Sequence, residues 1–233
     1  MSDKKQHLVI GMGEIGKPVF NILSDCYEVS SYDQLANTSL REENSFDYVH
    51  ICFGHKDTEV EDFKGWVADY KRRFLKDGGI LIIHATVAVG VCEELGAVHS
   101  PIVGQHPYLE PYIRKAIKIF GGDGAQEVAE LFRRAGLKVL VYSKASESEL
   151  AKLLLTENYR VNIEFCQRAK RLSDKLGLEF NNVYTLPAIL YNQVYKEMGH
   201  EEYLRPVLAP NMDKLGGHCV SQNEKLINLI EKC

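Results

Sequence analysis

HLVIGMGEIG, running from His7 to Gly16, is the stretch that decides the fold. His7 to Gly11 reads as a short apolar strand, and Gly11, Gly13 and Gly16 fall in a G-x-G-x-x-G spacing that opens a helix. The chemistry asks for glycine at each place for a different reason. The first lets the chain turn tightly, the second lets backbone approach a pyrophosphate, and the third lets helix and strand pack closely. The helix that begins there offers free N–H groups and the positive end of its dipole to phosphate oxygens. Gly11, Gly13, Glu14, Ile15 and Gly16 are therefore expected to hold a dinucleotide.

The motif alone is weak, so its surroundings matter. Tyr27 to Tyr32 reads as a second strand and ends in Asp33. A carboxylate at that point accepts hydrogen bonds from both hydroxyls of an adenosine ribose and repels a 2′-phosphate, so NAD is expected rather than NADP. DYVHICF (Asp47 to Phe53) is a further buried-strand run, which places Phe53 and Gly54 at the same end of the sheet. Glu59 to Leu75 has helical spacing. Asp77-Gly78-Gly79 reads as a turn, and GILIIH (Gly79 to His84) as another buried strand leading to Thr86. Ala116 to Phe120, Ala125 to Ala135 and Lys138 to Val141 add strand, helix and strand. This β-α rhythm with continuously apolar strands predicts a doubly wound parallel sheet covered on both faces.

The texture changes near Ser143. Ser146 to Leu176 is almost free of Gly and Pro and has leucines at helical spacing, which predicts one long helix closed by Gly177. The expected division is a Rossmann-like domain over 1–143 and a smaller all-helical domain over 144–233.

Bulk properties narrow the function. With 233 residues, 45% of them hydrophobic, the chain can bury a substantial core. A net charge of −4 without any basic tract argues against nucleic acid and anionic membranes as partners. No apolar stretch has the length of a membrane span or a signal segment. The six cysteines are scattered without a C-x-x-C pair, which predicts reduced thiols and a cytoplasmic protein. His84, His99, His106 and His218 form no i, i+4 pair with a supporting acid, so no metal is expected.

Four segments then line up in order: HATVAVG (His84 to Gly90), HSPIVGQHP (His99 to Pro107), SESELAKLLLTENYRVNIEF (Ser146 to Phe165) and KLGGHC (Lys214 to Cys219). Together they resemble the UDP-glucose/GDP-mannose dehydrogenase family, and within it the UDP-N-acetylmannosamine dehydrogenase branch. The resemblance covers the NAD domain and the central helical domain, but not the family's C-terminal nucleotide-sugar domain. It implies a 6-phosphogluconate dehydrogenase-like arrangement with a long connecting helix, a homodimer, and oxidation of a sugar alcohol carbon by NAD. Carried over residue by residue, Cys219 becomes the nucleophile that traps an aldehyde, and Lys152 stabilises charge on the substrate oxygen. Asn158 is the lysine's asparagine partner, although Thr156 occupies the family's spacing. Thr86 matches the threonine of the family's S-T-V turn, which lies near the cofactor and a catalytic water.

Two departures stand out. The family's S-P-E reads Ser100-Pro101-Ile102 here, with His106 where a later acid is expected, and the aspartate four residues after the cysteine is Asn223. These leave two further readings open: a single reversible hydride transfer of the β-hydroxyacid dehydrogenase kind, with Lys152 as acid/base, or a non-catalytic NAD-binding sensor or accessory protein.

Overall fold

The computed structural model describes residues 5–34, 45–54, 59–104, 109–213 and 218–231. The chain divides into two compact units, Met1–Leu153 and Leu154–Cys233.

The first unit is built on seven strands: β1 (His7–Ile10), β2 (Val29–Tyr32), β3 (Phe46–Ile51), β4 (Leu75–Ile83), β5 (Ala97–His99), β6 (Ile117–Gly121) and β7 (Lys138–Tyr142). They form one sheet in the order β2-β1-β3-β4-β5-β6-β7. Every neighbouring pair is parallel except β5 and β6, which meet antiparallel through His99 and Gly121. The fully parallel sheet expected from the sequence is therefore corrected at this one junction.

Helices cover both faces, as the unbroken apolar strands require. On one face α1 (Gly16–Ser24), α4 (Leu109–Lys115) and α5 (Ala125–Arg134) bury Val19, Ile22, Leu109, Ile113, Val128 and Phe132 against Val9, Tyr48, Ile82 and Val98. On the other, α2 (Val60–Phe74) and α3 (Val91–Leu95) bury Phe63, Val67 and Val91 against Leu8, Val49, Leu81 and Ile83. Strand periodicity sends alternate residues to the two cores.

The turn expected at Asp77-Gly78-Gly79 is instead part of β4, which runs unbroken past it. The register with β3 slips between Phe46 and Tyr48, and Gly78 takes a φ of +73° in that irregular stretch. A Cβ on Gly79 would lie 2.9 Å from the Asp47 carbonyl oxygen. Glycine inside a strand often marks an irregularity in its pairing, and here the parallel partner β3 keeps the stretch within the sheet.

The long helix is α6 (Ala145–Lys175), whose first turns belong to the first unit. The second unit holds the rest of α6, a π-turn at Asn181–Thr185, α7 (Leu186–Glu197), a 3₁₀ turn at Glu201–Tyr203 and α8 (His218–Glu231), with no strand among the described residues. No helix there or in the first unit is long and apolar enough to cross a membrane, among the described residues.

Candidate functional site

The strand order creates the site before any side chain is considered. β1 is flanked by β2 and β3, so the chain reverses its direction of travel across the sheet between β1 and β3. Ligands of such sheets bind outside the carboxyl ends at this switch point. The loop Gly11 to Gly16 leaves β1 at that place, and Cys52, Phe53 and Gly54 leave β3 beside it.

Each glycine of the loop has its own surroundings. Gly11 has φ +89°, and a Cβ there would press on the Cys52 carbonyl carbon and Phe53 Cβ, both at 3.4 Å. A Cβ on Gly16 would sit 1.7 Å from the Gly11 carbonyl oxygen, so helix and strand approach too closely for any side chain. Gly13 differs: a Cβ there would meet nothing within 4 Å. Packing within the chain gives no reason for glycine at position 13, whereas backbone approach by a ligand does. Ile15, ahead of α1, has no side-chain cap to offer, and the first turn of that helix carries no acid. Its leading N–H groups face a site suited to an anion.

Asp33 follows β2, and its Oδ2 accepts the Met12 N–H at 2.7 Å. The acid therefore helps fix the glycine loop, a task the sequence did not reveal. Glu14 is exposed and Ile15 packs on the core beside α1. Phe53 lies edge-on to Phe63 and Tyr70, and a Cβ on Gly54 would make ordinary contact with Ala85 at 3.6 Å.

Thr86 follows β4, half-buried between buried Ala85 and Val87. The loop that carries it is held by α6. Glu149, fully buried, accepts N–H bonds from Gly90 at 2.6 Å and Cys92 at 2.8 Å, capping α3 from another element. Burial pushes the Glu149 carboxyl upward, and these two N–H groups pull it back. One residue earlier, Ser148 Oγ lies 2.8 Å from His99 Nδ1, while His99 Nε2–H donates to the Ala85 carbonyl at 3.1 Å. Burial lowers the His99 pKa to about 3. Lys152 is half-buried on the same helix, and its charge acts on both His99 and Lys118.

The departure at Ser100-Pro101-Ile102 has a physical reading. Ile102 is buried in the core beside Val98 and Leu109, so an apolar side chain fills the position of the missing acid. Ser100 and Pro101 close around the buried Lys118. The Lys118 amine donates to the Pro101 carbonyl at 2.9 Å and to the Ser100 carbonyl, and the Ser100 hydroxyl lies 2.6 Å from the same nitrogen. Burial drives its pKa well below that of an ordinary lysine.

In the second unit, Asn158 is exposed on α6 and accepts the Asn162 amide on its Oδ1 at 2.9 Å. Asn223 is buried on α8. The backbone of His218 and Cys219 starts α8, and their side chains lie outside the described residues, as does all of His106. Within the first unit, then, the glycine loop, Asp33, Phe53, Gly54 and Thr86 all lie at the carboxyl edge of the sheet.

Sequence reading missed Lys118, Glu149 and the pairing of His7, His50 and His84. The signal was present in the strands: HLVI, YVHI and IKIF each place a titratable residue inside a run that must be buried. Of the four histidines grouped at the outset, His84 and His99 prove fully buried with separate partners. Among the described residues no group of three His, Cys, Asp or Glu side chains is arranged to hold a metal.

No protein-family model matches the chain, and no curated protein matches it. Solved structures do. A UDP-D-ManNAc dehydrogenase from Pyrococcus horikoshii superposes with a TM-score of 0.73 at 18% identity, over 95% of this chain and 63% of that one. A UDP-glucose dehydrogenase from Pyrobaculum islandicum gives 0.70 at 14% identity, over 99% and 65%. An imine reductase from a Pseudomonas species gives 0.54 at 14% identity, over 84% and 76%. The chain thus spans less than two thirds of the length of the two sugar-nucleotide enzymes. What these likenesses show is that this chain has the Rossmann-like α/β fold of the UDP-sugar dehydrogenases.

Proposed function

We propose that the chain is an NAD-dependent oxidoreductase acting on an alcohol carbon of a sugar or sugar-like substrate. The observation that carries this reading is Gly13, a glycine that nothing in the chain requires, placed at the switch point before an uncapped helix N-terminus. Bound there, NAD supplies the hydride acceptor. The chain's own residues do the rest: Gly11 to Gly16 present backbone N–H groups to the pyrophosphate, Asp33 binds the ribose, and Phe53, Gly54 and Thr86 border the cofactor. Lys152 polarises the substrate oxygen with Asn158 as its partner, His106 stands in for a lost acid as proton carrier, and Cys219 is the nucleophile.

Asp33→Ala tests the cofactor assignment. By calorimetry it should weaken NAD at least about tenfold, a loss of roughly 1.4 kcal/mol, and narrow the preference over NADP. Wild-type protein that fails to bind NAD at millimolar concentration would end the oxidoreductase reading.

The resemblance favours covalent trapping, whereas the lost acid at Ile102 favours a single hydride transfer. Cys219→Ser separates them once a substrate is found by screening sugar nucleotides and simpler alcohols for NADH formation. A thiolate nucleophile is needed to pass from aldehyde to acid, so the variant should stop after one NADH per substrate. Unchanged turnover in the variant would leave the single-step reading. A second copy of the chain is the proposed partner, supported by the exposed apolar residues Leu154, Leu155, Phe165 and Leu172 along α6.

A further inference from the structure

Three fully buried histidines climb diagonally through the first unit's sheet. His7 opens β1, His50 lies beside Val9 two residues further along, and His84 follows β4 two residues beyond Ile82, the partner of His50. Their rings stack edge to edge in sequence: His7 Nδ1 lies 3.1 Å from His50 Nε2, and His50 Nδ1 lies 3.0 Å from His84 Nε2. His84 Nδ1 ends the row, 2.9 Å from the Ser100 carbonyl and 3.4 Å from Lys118 Nζ.

The carbonyl fixes every proton. It only accepts, so His84 carries its hydrogen on Nδ1 and leaves Nε2 bare. His50 must then donate from Nδ1, and so must His7. That leaves His7 Nε2 as a bare nitrogen, buried, with no hydrogen-bond partner among the described residues. Buried polar atoms are rarely left so. The His7 ring lies between Tyr27 and Tyr48, at centroid distances of 4.8 and 4.7 Å. Both tyrosines line an open groove of about 1070 Å³ at the amino edge of the sheet, away from the glycine loop. Lys5 and Glu127 meet the Tyr48 hydroxyl at 3.1 and 2.5 Å at its rim.

We propose that His7, His50 and His84 form a proton relay that connects this groove to the buried amine of Lys118. One proton enters at His7 Nε2. The His7 Nδ1–H passes to His50 Nε2, the His50 Nδ1–H passes to His84 Nε2, and the His84 Nδ1–H passes to the lone pair of Lys118. Each hop breaks one N–H bond and forms another, and no electron is transferred. The product is an ammonium on Lys118 held by Ser100 and Pro101, with all three rings now carrying hydrogen on Nε2 and the hydrogen bonds reversed in direction. The reverse sequence restores the start without any ring turning over.

The groups facing the relay fit this traffic. Burial keeps His7 down to about 4 and holds His50 and His84 well below an ordinary imidazole, so each ring is neutral with one hydrogen to pass. Asp47 raises His7 and Lys5 lowers it. Phe120 and Phe132 cover Lys118; burial lowers its pKa, Cys52 raises it and Lys152 lowers it. The relay gives Lys118 a route to solvent that avoids the glycine-loop crevice, and its existence does not depend on the oxidoreductase reading.

Exchange of ring hydrogens with water tests it, by NMR of protein labelled with ¹⁵N-histidine at pH 7. His99 is the internal control: it is equally buried in the same sheet, but its Nε2–H ends on the Ala85 carbonyl. A relay makes the His50 and His84 Nδ1 hydrogens exchange at least tenfold faster than the His99 Nε2 hydrogen. His7→Phe, which keeps the stacking and removes the entry nitrogen, should slow them at least tenfold, and Tyr27→Ala, which uncovers His7, should speed them. Wild-type exchange no faster than that of His99 overturns the proposal, as does a folded His7→Phe variant with unchanged exchange.

Discussion

Between pH 6.5 and 5.5 the protein is expected to lose about 4 kcal/mol of stability, about 1 kcal/mol from each of four histidines. His7, His50, His84 and His99 are fully buried, and burial lowers all four pKa values: His7 to about 4, His99 to about 3, and His50 and His84 well below the ordinary range. The folded chain therefore holds them neutral. The unfolded chain takes up a proton on each as pH falls through about 6.5. Because the unfolded state binds more protons, stability rises with pH through this window and is complete above it. Glu149 works in the opposite sense, since its carboxyl is raised by burial and the folded state protonates it first. It is one group against four. A domain this size has about 5 to 15 kcal/mol in total, so acid unfolding should begin before most carboxylates titrate. Urea denaturation at pH 7.0 and 5.5, at one ionic strength, reads the effect directly. His7→Phe should shrink the pH dependence by about a quarter. Equal stability at the two pH values would mean that these imidazoles are not buried and neutral.

The first unit was legible because its signals are local. Continuous apolar runs such as HLVI and GILIIH have one stable use, as central strands of a covered sheet, and the spacing of Gly11, Gly13 and Gly16 needs only a strand before it and a helix after it. Asp33 was readable for the same reason. What failed was strand pairing. The antiparallel contact between His99 and Gly121 joins residues far apart in sequence, and the stretch Asp77 to Gly79 stays within a strand, with a shifted register, only because β3 lies beside it. Periodicity in one strand carries no record of its neighbour.

The site was legible where the chain's backbone makes it and opaque where side chains from distant elements meet. Gly13 and Asp33 are neighbours through a single β-α-β unit. Lys118 reaches Ser100 from a different strand, and Glu149 caps a helix more than fifty residues earlier in the chain. A lysine in an apolar strand was the available clue, because a fully buried amine needs oxygens around it. Ile102 shows the converse: the sequence read it only as a departure from a motif, and its place in the core explains what the residue does here.

Gly16→Ala and Gly13→Ala, two chemically identical changes three residues apart, are expected to fail in opposite ways. At Gly16 the new methyl would lie 1.7 Å from the Gly11 carbonyl oxygen, 2.8 Å from its carbonyl carbon and 3.3 Å from Cys52 Cβ. The obstacle is backbone just past the end of β1, so no side-chain rotation relieves it. α1 must move away from β1, which loosens the packing of buried Val19 and Ile22. Overpacking that displaces backbone costs about 3 kcal/mol or more, read as a large fall in thermal midpoint. At Gly13 nothing lies within 4 Å of the added methyl, so the thermal midpoint should stay within about 1 °C of wild type. The methyl instead occupies the space in which a pyrophosphate approaches the backbone, and NAD affinity should fall about tenfold or more. Differential scanning calorimetry and NAD titration on the same two proteins separate the effects. A stable Gly16→Ala variant would mean that helix and strand are not in contact there. A Gly13→Ala variant that binds NAD as tightly as wild type would remove the reason for glycine at position 13, and with it the observation on which the cofactor assignment rests.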